Sequence, residues 1–164
     1  LRPARWRLRT CGAHMTKQQL TSLAAFGSFA LLGGAYIFQA IGYPPCQMCF
    51  WQRWPHMAAI GIGILAFFIP ARVWQWLGAL AAAITSGIGI FHSGVERAYW
   101  SGPTSCTGGG LEASSGADLL SMTGDKLIMC DQVSWEFLSL SMASWNAMFS
   151  FGLMLIWLAA ARKK

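Results

Sequence analysis

The residues with the clearest chemical potential are two cysteines in the stretch YPPCQMCFWQRWPH. Cys46 and Cys49 are separated by two residues. Such a pair can be a redox dithiol, half of a zinc site or two buried thiols without chemistry. A disulfide across two residues closes too small a loop to restrain the unfolded chain much. Thiols in this motif often have a lowered pKa, which favours thiol–disulfide exchange.

Three further cysteines lie apart from this pair, namely Cys11, Cys106 and Cys130. A bridge between Cys106 and Cys130 could be purely structural, contributing about 3–4 kcal/mol in the chain-entropy model. A zinc site built from four cysteines usually has two closely spaced pairs. Because Cys106 and Cys130 are far apart, the spacing favours disulfides over zinc, and no metal site is predicted.

The elements that must position these cysteines are four long segments without charged side chains. The chain has 164 residues, of which 55% are hydrophobic and 11% charged, whereas soluble domains carry about 25% charge. Each segment is close to the ~17–25 residues that a helix needs to cross a bilayer. We therefore predict an all-α membrane protein, a bundle of four transmembrane helices at about 20–41, 54–70, 73–93 and 137–161.

The charged residues predict how this bundle is oriented. Basic residues without acidic neighbours lie at both termini and at Arg72, whereas all six acidic residues lie between the third and fourth segments. The positive-inside rule then places both termini in the cytoplasm and two loops, 42–53 and 94–136, on the external, periplasmic side. The net charge of +6 thus indicates membrane topology. Membrane lipid is an expected partner, and nucleic acid is not.

The same pattern predicts the domain organisation. Residues 1–17 form a basic cytoplasmic tail, 18–161 a single membrane domain and 162–164 a second basic tail. Met15 stands just before the first helix, so residues 1–14 are interpreted either as an upstream extension or as an added segment outside the native start. Within the second external loop, residues 111–122 are predicted to form a short amphipathic helix on the membrane surface.

Topology also sorts the cysteines. Cys46 and Cys49 fall in the first external loop and Cys106 and Cys130 in the second, whereas Cys11 faces the cytoplasm, where thiols stay reduced. Two exchangeable disulfides on one oxidising face are typical of an electron relay.

At this point the chain resembles a known family. The four helices, the stretch PCQMCFWQR after the first helix and the wide cysteine pair in the second external loop resemble the disulfide bond formation protein B (DsbB) family of bacterial inner-membrane thiol oxidases. The stretches HSGVERAYWSGPTSC and SMASWNAMF are also similar, and the resemblance covers 16–161.

The resemblance implies an enzyme, a dithiol:quinone oxidoreductase of the bacterial inner membrane. Its partner would be a DsbA-like periplasmic thioredoxin-fold protein, which attacks the Cys106–Cys130 bridge at Cys106. Electrons would pass to Cys46 and Cys49, and from Cys49 to a membrane quinone, either ubiquinone or menaquinone. These four cysteines are the predicted catalytic residues.

Four residues are predicted to bind the quinone, with alternatives for each. Arg53 stands four residues after Cys49, where the family has an arginine, but it could instead extend to lipid headgroups. Trp54 could flank a quinone ring or belong to an interfacial aromatic belt. His92 and Glu96 are one helical turn apart, so they could serve the quinone and its protons or only pair with each other. Asn146, in the fourth segment, is expected to hydrogen-bond a neighbouring helix.

Two other functions remain open from the residues. One is a non-catalytic four-span membrane protein whose disulfides are structural. The other is a DsbB-like oxidase dedicated to a partner other than DsbA. A vitamin-K-epoxide-reductase-like enzyme is disfavoured, because its Cys-x-x-Cys motif is expected near the fourth helix, where this chain has none.

Overall fold

The structure, a computed structural model, describes residues 15–106 and 129–163. Cys11, the interpretation of residues 1–14 and the predicted surface helix at 111–122 lie outside these ranges. In chain order the elements are four helices and one two-stranded hairpin: α1 (Lys17–Ala40), α2 (Gln47–Phe68), α3 (Val73–Glu96), β1 (Glu136–Phe137), β2 (Leu140–Ser141) and α4 (Met142–Arg162).

The four helices form a bundle in which large apolar side chains point outward. Phe26, Phe67 and Phe68 are 66%, 63% and 74% exposed, whereas the interior is built largely from alanine, serine and threonine. Because water would not solvate such an exterior, this distribution is typical of a bundle surrounded by lipid.

Small residues allow the helices to approach closely at defined points. A Cβ atom on Gly78 of α3 would lie 2.5 Å from the ring of Trp157, which is fully buried in α4. On Gly89 it would lie 3.0 Å from the Cβ of Ala147. The small residues of the third segment therefore do pack against a neighbour at these positions, whereas Gly33, Gly34 and Gly87 have open space beside them.

Three of the helices, α1, α3 and α4, are long and apolar enough to cross a membrane. Helix α2 is equally long, with 22 residues, and packs between α1 and α3. The prediction of four helices is therefore confirmed, and three of them have the composition of membrane spans.

The start of the second helix differs from the prediction. We expected residues 42–53 to form a loop and the helix to start near 54, but α2 begins at Gln47. The reason is local, since the Cys46 sulfur accepts the backbone N–H of Cys49 and caps the helix. Cys49 and Arg53 consequently lie on a helix, and only residues 41–46 connect it to α1.

The other boundaries shift by smaller amounts. Helix α1 begins at Lys17, because Thr16 and Gln19 form a capping box, so the predicted tail is shorter by one residue. Helix α3 continues to Glu96, three residues beyond the expected end.

The fourth helix starts five residues later than expected. Residues 136–141 form a short antiparallel hairpin, in which Glu136 pairs with Ser141 and Phe137 with Leu140. At its tip Leu138 and Ser139 have φ angles of 53° and 61°, a left-handed conformation that a helix cannot accommodate. The predicted start of the fourth helix, at 137, was wrong because it rested only on the absence of charged residues. That criterion does not detect the turn at Leu138 and Ser139.

Candidate functional site

The amino-terminal end of α2 positions the first cysteine pair. Cys46 is the N-cap residue and Cys49 lies in the first turn, so their sulfurs come within 3.0 Å of each other. Cys46 is buried and Cys49 is partly exposed, and both are free thiols. A helix N-terminus carries partial positive charge, which favours a thiolate at this position.

The second pair lies against the first. Cys106 and Cys130 form a disulfide, and Cys130 N donates to Cys106 O. These two residues and Cys46 belong to one buried cluster, together with Met48 and Val95, and Cys49 packs against it. The sequence predicted the two pairs in separate loops. The fold brings all four cysteines together at one buried cluster.

His92 joins the two pairs. Its Nε2 atom lies 3.5 Å from the Cys46 sulfur and 3.8 Å from Glu96 Oε1, and the backbone of Cys130 lies beside the ring. The predicted pairing of His92 with Glu96 therefore occurs, and His92 also lies beside Cys46.

The environment of Cys46 favours its thiolate. The hydrogen bond from the Cys49 thiol is the largest effect, and the hydrogen bond and charge of His92 act in the same direction, so the pKa of Cys46 falls to about 4 although burial opposes it. The negative charge of the reduced pair is thus expected at Cys46.

This lowered pKa gives a pH prediction for the reduced protein. A thiol is ionised above its pKa, so alkylation of Cys46 should be nearly independent of pH from about 5 to 8 and slow only near pH 4 and below. An ordinary thiol, with a pKa of about 8.5, loses reactivity throughout this range. In His92→Gln the hydrogen bond and the charge of His92 no longer lower the pKa of Cys46. The curve of alkylation rate against pH should therefore shift to higher pH. Alkylation followed by mass-spectrometric peptide mapping measures each cysteine separately, and a curve centred above pH 8 in the wild-type protein would contradict the prediction.

The reduced pair also has the ligand types of a zinc site, but not its spacing. The sulfurs of Cys46 and Cys49 and a ring nitrogen of His92 lie within 4.8 Å of one another. Two thiolates on one tetrahedral zinc ion are roughly 3.8 Å apart, as Zn–S bonds of about 2.3 Å require. A separation of 3.0 Å between the sulfurs suits disulfide exchange better than metal binding.

A cavity of about 480 Å³ opens beside this cluster, between α1, α2 and α4. Most of its wall is apolar, and its polar side chains include Cys46, Cys49, Arg53, His92 and Glu96. The volume lies within the usual range of small-molecule sites, which combine an apolar wall with a few polar groups.

Arg53 is buried in this wall, with only 7% of its surface exposed. Its Nη1 donates to Gln39 Oε1 at 2.8 Å and its Nη2 to the carbonyl of Ala35 at 3.4 Å. The rings of Tyr36 and Phe50 lie 4.7 and 5.0 Å from the guanidinium carbon. Arg53 is therefore held inside the bundle by these contacts.

Of the four residues predicted to bind a cofactor, three line the cavity and one does not. Arg53, His92 and Glu96 are in the wall. Trp54 is 67% exposed and points away from it, because it follows Arg53 on the helix and so faces about 100° further round. Its position on the outer surface agrees with the alternative of an interfacial aromatic residue.

An aromatic face of the cavity was not predicted from the sequence. Adjacent rings lie 5.0 to 6.3 Å apart in a continuous series, made of Phe38, Trp135, Phe137, Trp145 and Phe149, and all five line the cavity. The signal was present as the stretch SWEFLSLSMASWNAMF. Phe38 lies far from this stretch in the chain, so it could not be placed beside it without the fold.

Comparison with known proteins gives the family. Residues 17–160 match the family model described as disulfide bond formation protein DsbB. The chain belongs to the DsbB family. It is 30% identical to a disulfide bond formation protein B from Shewanella amazonensis, covering 84% of this chain and 85% of the relative. The corresponding protein of Verminephrobacter eiseniae is 32% identical, with coverages of 80% and 78%.

A relative from Xanthomonas oryzae pv. oryzae, also a disulfide bond formation protein B, is 30% identical and matches over 99% of this chain and 95% of its own length. No solved structure matches the chain significantly. Family membership and the apolar helices identify a multi-pass membrane protein of disulfide bond formation, and its class of activity is that of a disulfide-forming oxidoreductase.

Proposed function

We propose that this DsbB-family protein is a dithiol:quinone oxidoreductase, which reoxidises a DsbA-like periplasmic thioredoxin-fold protein and passes the electrons to a membrane quinone. The observation that carries the proposal is that the two cysteine pairs share one buried cluster and that Cys46 and Cys49 also line an apolar cavity. A protein whose disulfides were only structural would not need a free, partly exposed dithiol packed against a buried disulfide.

The first half of the reaction is disulfide exchange. A thiolate of the reduced partner attacks Cys106, a bond forms between these two sulfurs, and Cys130 leaves as a thiolate. The second partner thiol then releases the oxidised partner, so the partner loses two electrons and two protons. A thiolate of the reduced pair Cys106 and Cys130 then attacks the bridge between Cys46 and Cys49. The two electrons and two protons thereby pass from the second cysteine pair to the first.

The shared location of the pairs supports this transfer. Cys46, Cys106 and Cys130 are buried in the same cluster. His92 lies beside Cys46 and the backbone of Cys130. Its Nε2 is within reach of a thiolate formed at Cys46, which lowers the cost of breaking the bridge.

The residues of the cavity fit a quinone. Its wall is apolar and partly aromatic, and Arg53 Nε is buried without a hydrogen-bond partner among the described residues. Such a donor is costly unless a ligand oxygen accepts from it. Arg53 and the aromatic face would hold the ring, and Cys49 would lie beside it, since both line the cavity. When bound, the quinone supplies an acceptor for two electrons and two protons.

A quinone also fits the energetics of the partner. DsbA is a strong oxidant, with a potential of about −120 mV, and 30 mV corresponds to roughly 1.4 kcal/mol for a two-electron couple. Glutathione therefore cannot reoxidise it, and a lipid-soluble acceptor is required. We place the protein in the bacterial inner membrane with four spans, both termini in the cytoplasm and the cysteines on the periplasmic side, as the distribution of lysine and arginine indicates.

Filling the cavity tests the proposed site. Gly34 lines the cavity, and a Cβ atom there would meet nothing within 4 Å, so Gly34→Leu should fill the space without a backbone clash. We expect the purified wild-type protein to carry a quinone that is detected by mass spectrometry of its lipid extract, and Gly34→Leu to lose most of it. Gly33→Leu is the matched control, because Gly33 has equally open space but does not line the cavity. Equal quinone content in both variants would place the quinone elsewhere.

A further inference from the structure

A buried polar network lies behind His92, between α2, α3 and α4. It joins residues from all three helices in one continuous set of hydrogen bonds: Gln52, His56, Thr85, Asn146 and Ser150. Gln52 and His56 are 6% and 3% exposed, and Thr85 and Ser150 are fully buried. Polar groups inside a membrane bundle are expensive, and helix packing alone would not require a network that ends on the ring of His92.

The amide of Asn146 has one allowed orientation. Its Nδ2 donates to Gln52 Oε1 at 2.7 Å and to Thr85 Oγ1 at 3.2 Å. The Thr85 hydroxyl donates its own hydrogen to the carbonyl of Gln52 at 3.0 Å, so its oxygen can only accept from Asn146. The Asn146 Oδ1 atom in turn faces two donors, His56 Nε2 at 3.0 Å and Ser150 Oγ at 3.4 Å. Both amide hydrogens and the oxygen of Asn146 are thereby assigned.

The orientation of Asn146 fixes that of Gln52. The Gln52 Oε1 atom accepts from Asn146, so its Nε2 faces the other way, toward the carbonyl of Met48 at 3.3 Å and His92 Nδ1 at 2.9 Å. A reversed amide would place an oxygen against the Met48 carbonyl and two amide nitrogens against each other. Gln52 therefore presents an N–H group to His92.

The last step concerns the ring itself. Because Nδ1 of His92 accepts from Gln52, a neutral imidazole must carry its proton on Nε2. That nitrogen is the one that faces the Cys46 sulfur at 3.5 Å. The hydrogen bonds that run from His56 through Asn146 and Gln52 thus direct the proton of His92 toward the redox pair.

The geometry points to Gln52, Asn146 and His56 as positioning residues, which hold the neutral ring of His92 in the tautomer whose Nε2–H group faces Cys46. The inference deepens the proposed function and rests on it. His92 can then donate to the Cys46 thiolate without first taking up a proton, so this hydrogen bond is available each time the Cys46–Cys49 bridge opens.

Nitrogen NMR of the ring tests the inference without any partner or electron acceptor. The full chain is labelled with ¹⁵N-histidine, reduced and placed in lipid nanodiscs, and His92 is assigned from the signals that His92→Gln loses. At a pH at which the ring is neutral, we expect one tautomer, with the proton on Nε2. In Gln52→Glu a carboxylate replaces the donor, so Nδ1 should become protonated. In Asn146→Leu both amide orientations of Gln52 become accessible, and a mixture of tautomers should appear.

Activity adds a second measurement. Loss of one buried hydrogen bond corresponds to roughly a tenfold effect, so turnover of Asn146→Leu should fall about tenfold at unchanged apparent KM for the thiol partner. His56→Gln, which keeps a donor for Asn146, should retain more turnover than His56→Leu. Gln75→Glu is the matched control, since Gln75 is a glutamine of α3 that is 2% exposed and contacts Thr21. In Gln75→Glu the tautomer of His92 should be the same as in the wild-type protein.

Three results would overturn the inference. A proton on Nδ1 of His92 in the wild-type protein would contradict the assigned tautomer. An unchanged tautomer in both Gln52→Glu and Asn146→Leu would show that the network does not position the ring. A change only in Gln52→Glu would exclude the roles of Asn146 and His56. Failure of the proposed function would instead leave the tautomers as expected and abolish only the activity.

Discussion

Cys130→Ser should convert the protein into a trap for its thiol partner and abolish turnover completely. In this variant Cys106 is a free thiol, which attacks the disulfide of the oxidised partner: a bond forms between Cys106 and one partner sulfur, and the other partner sulfur leaves as a thiolate. Since Cys130 is absent, no neighbouring thiol of this chain can displace the partner from Cys106. A covalent complex that reducing agent dissolves should accumulate, and non-reducing electrophoresis with mass spectrometry of the linked peptides identifies the attached cysteine. Serine replacements at Cys46, Cys49 and Cys106 should also abolish turnover, but without this complex.

The matched control is Cys11→Ser, which should keep full turnover because Cys11 is expected on the cytoplasmic side. Trapping of the partner in Cys106→Ser instead of Cys130→Ser would reverse the order of the two sulfurs. Loss of turnover in Cys11→Ser at a normal protein level would contradict the predicted topology.

Arg53→Met should impair the quinone step while leaving the fold and both cysteine pairs intact. A charge-assisted hydrogen bond contributes about 1.5–3 kcal/mol, so the expected effect is a ten- to hundredfold loss, seen as a higher apparent KM for quinone and slower reoxidation of Cys46 and Cys49. Lysine should restore part of the activity, because it returns the charge but not the planar set of donors.

Because Arg53 is buried, the test must separate an effect on the quinone step from an effect on the stability of the bundle. Arg53 is 7% exposed and donates to Gln39 Oε1, so its loss could also destabilise the bundle. Gln39→Leu is therefore the control for the structural part, since it removes the same hydrogen bond and keeps the guanidinium. Unchanged quinone kinetics in Arg53→Met and Arg53→Lys would leave Arg53 a structural residue and contradict its placement at the quinone.

The sequence predicted the helices and the pairs of cysteines because both are local signals. Segments without charge located four helices, and the Cys-x-x-Cys spacing located the dithiol. Boundaries were less accurate where side-chain caps and turns decide them, as at Cys46, which caps α2, and at the hairpin of Leu138 and Ser139.

What the sequence could not provide is long-range assembly. Three features depend on how the helices pack: the cluster that Cys46 shares with Cys106 and Cys130, the cavity beside Arg53 and the orientation of Trp54 away from that cavity. Asn146 was expected to bond a neighbouring helix, and it does, but its partners Gln52 and His56 carried no signal of their own.

Electron transfer from a dithiol to quinone is the central claim, and anaerobic single-turnover kinetics tests it most directly. The purified protein in nanodiscs is mixed with a reduced DsbA-like protein and a defined quinone, and partner disulfide and reduced quinone are measured together. We predict one disulfide formed for each quinone reduced, and no continued oxidation of the partner when quinone is withheld. Continued oxidation of the partner without quinone, or no oxidation with it, would contradict the account.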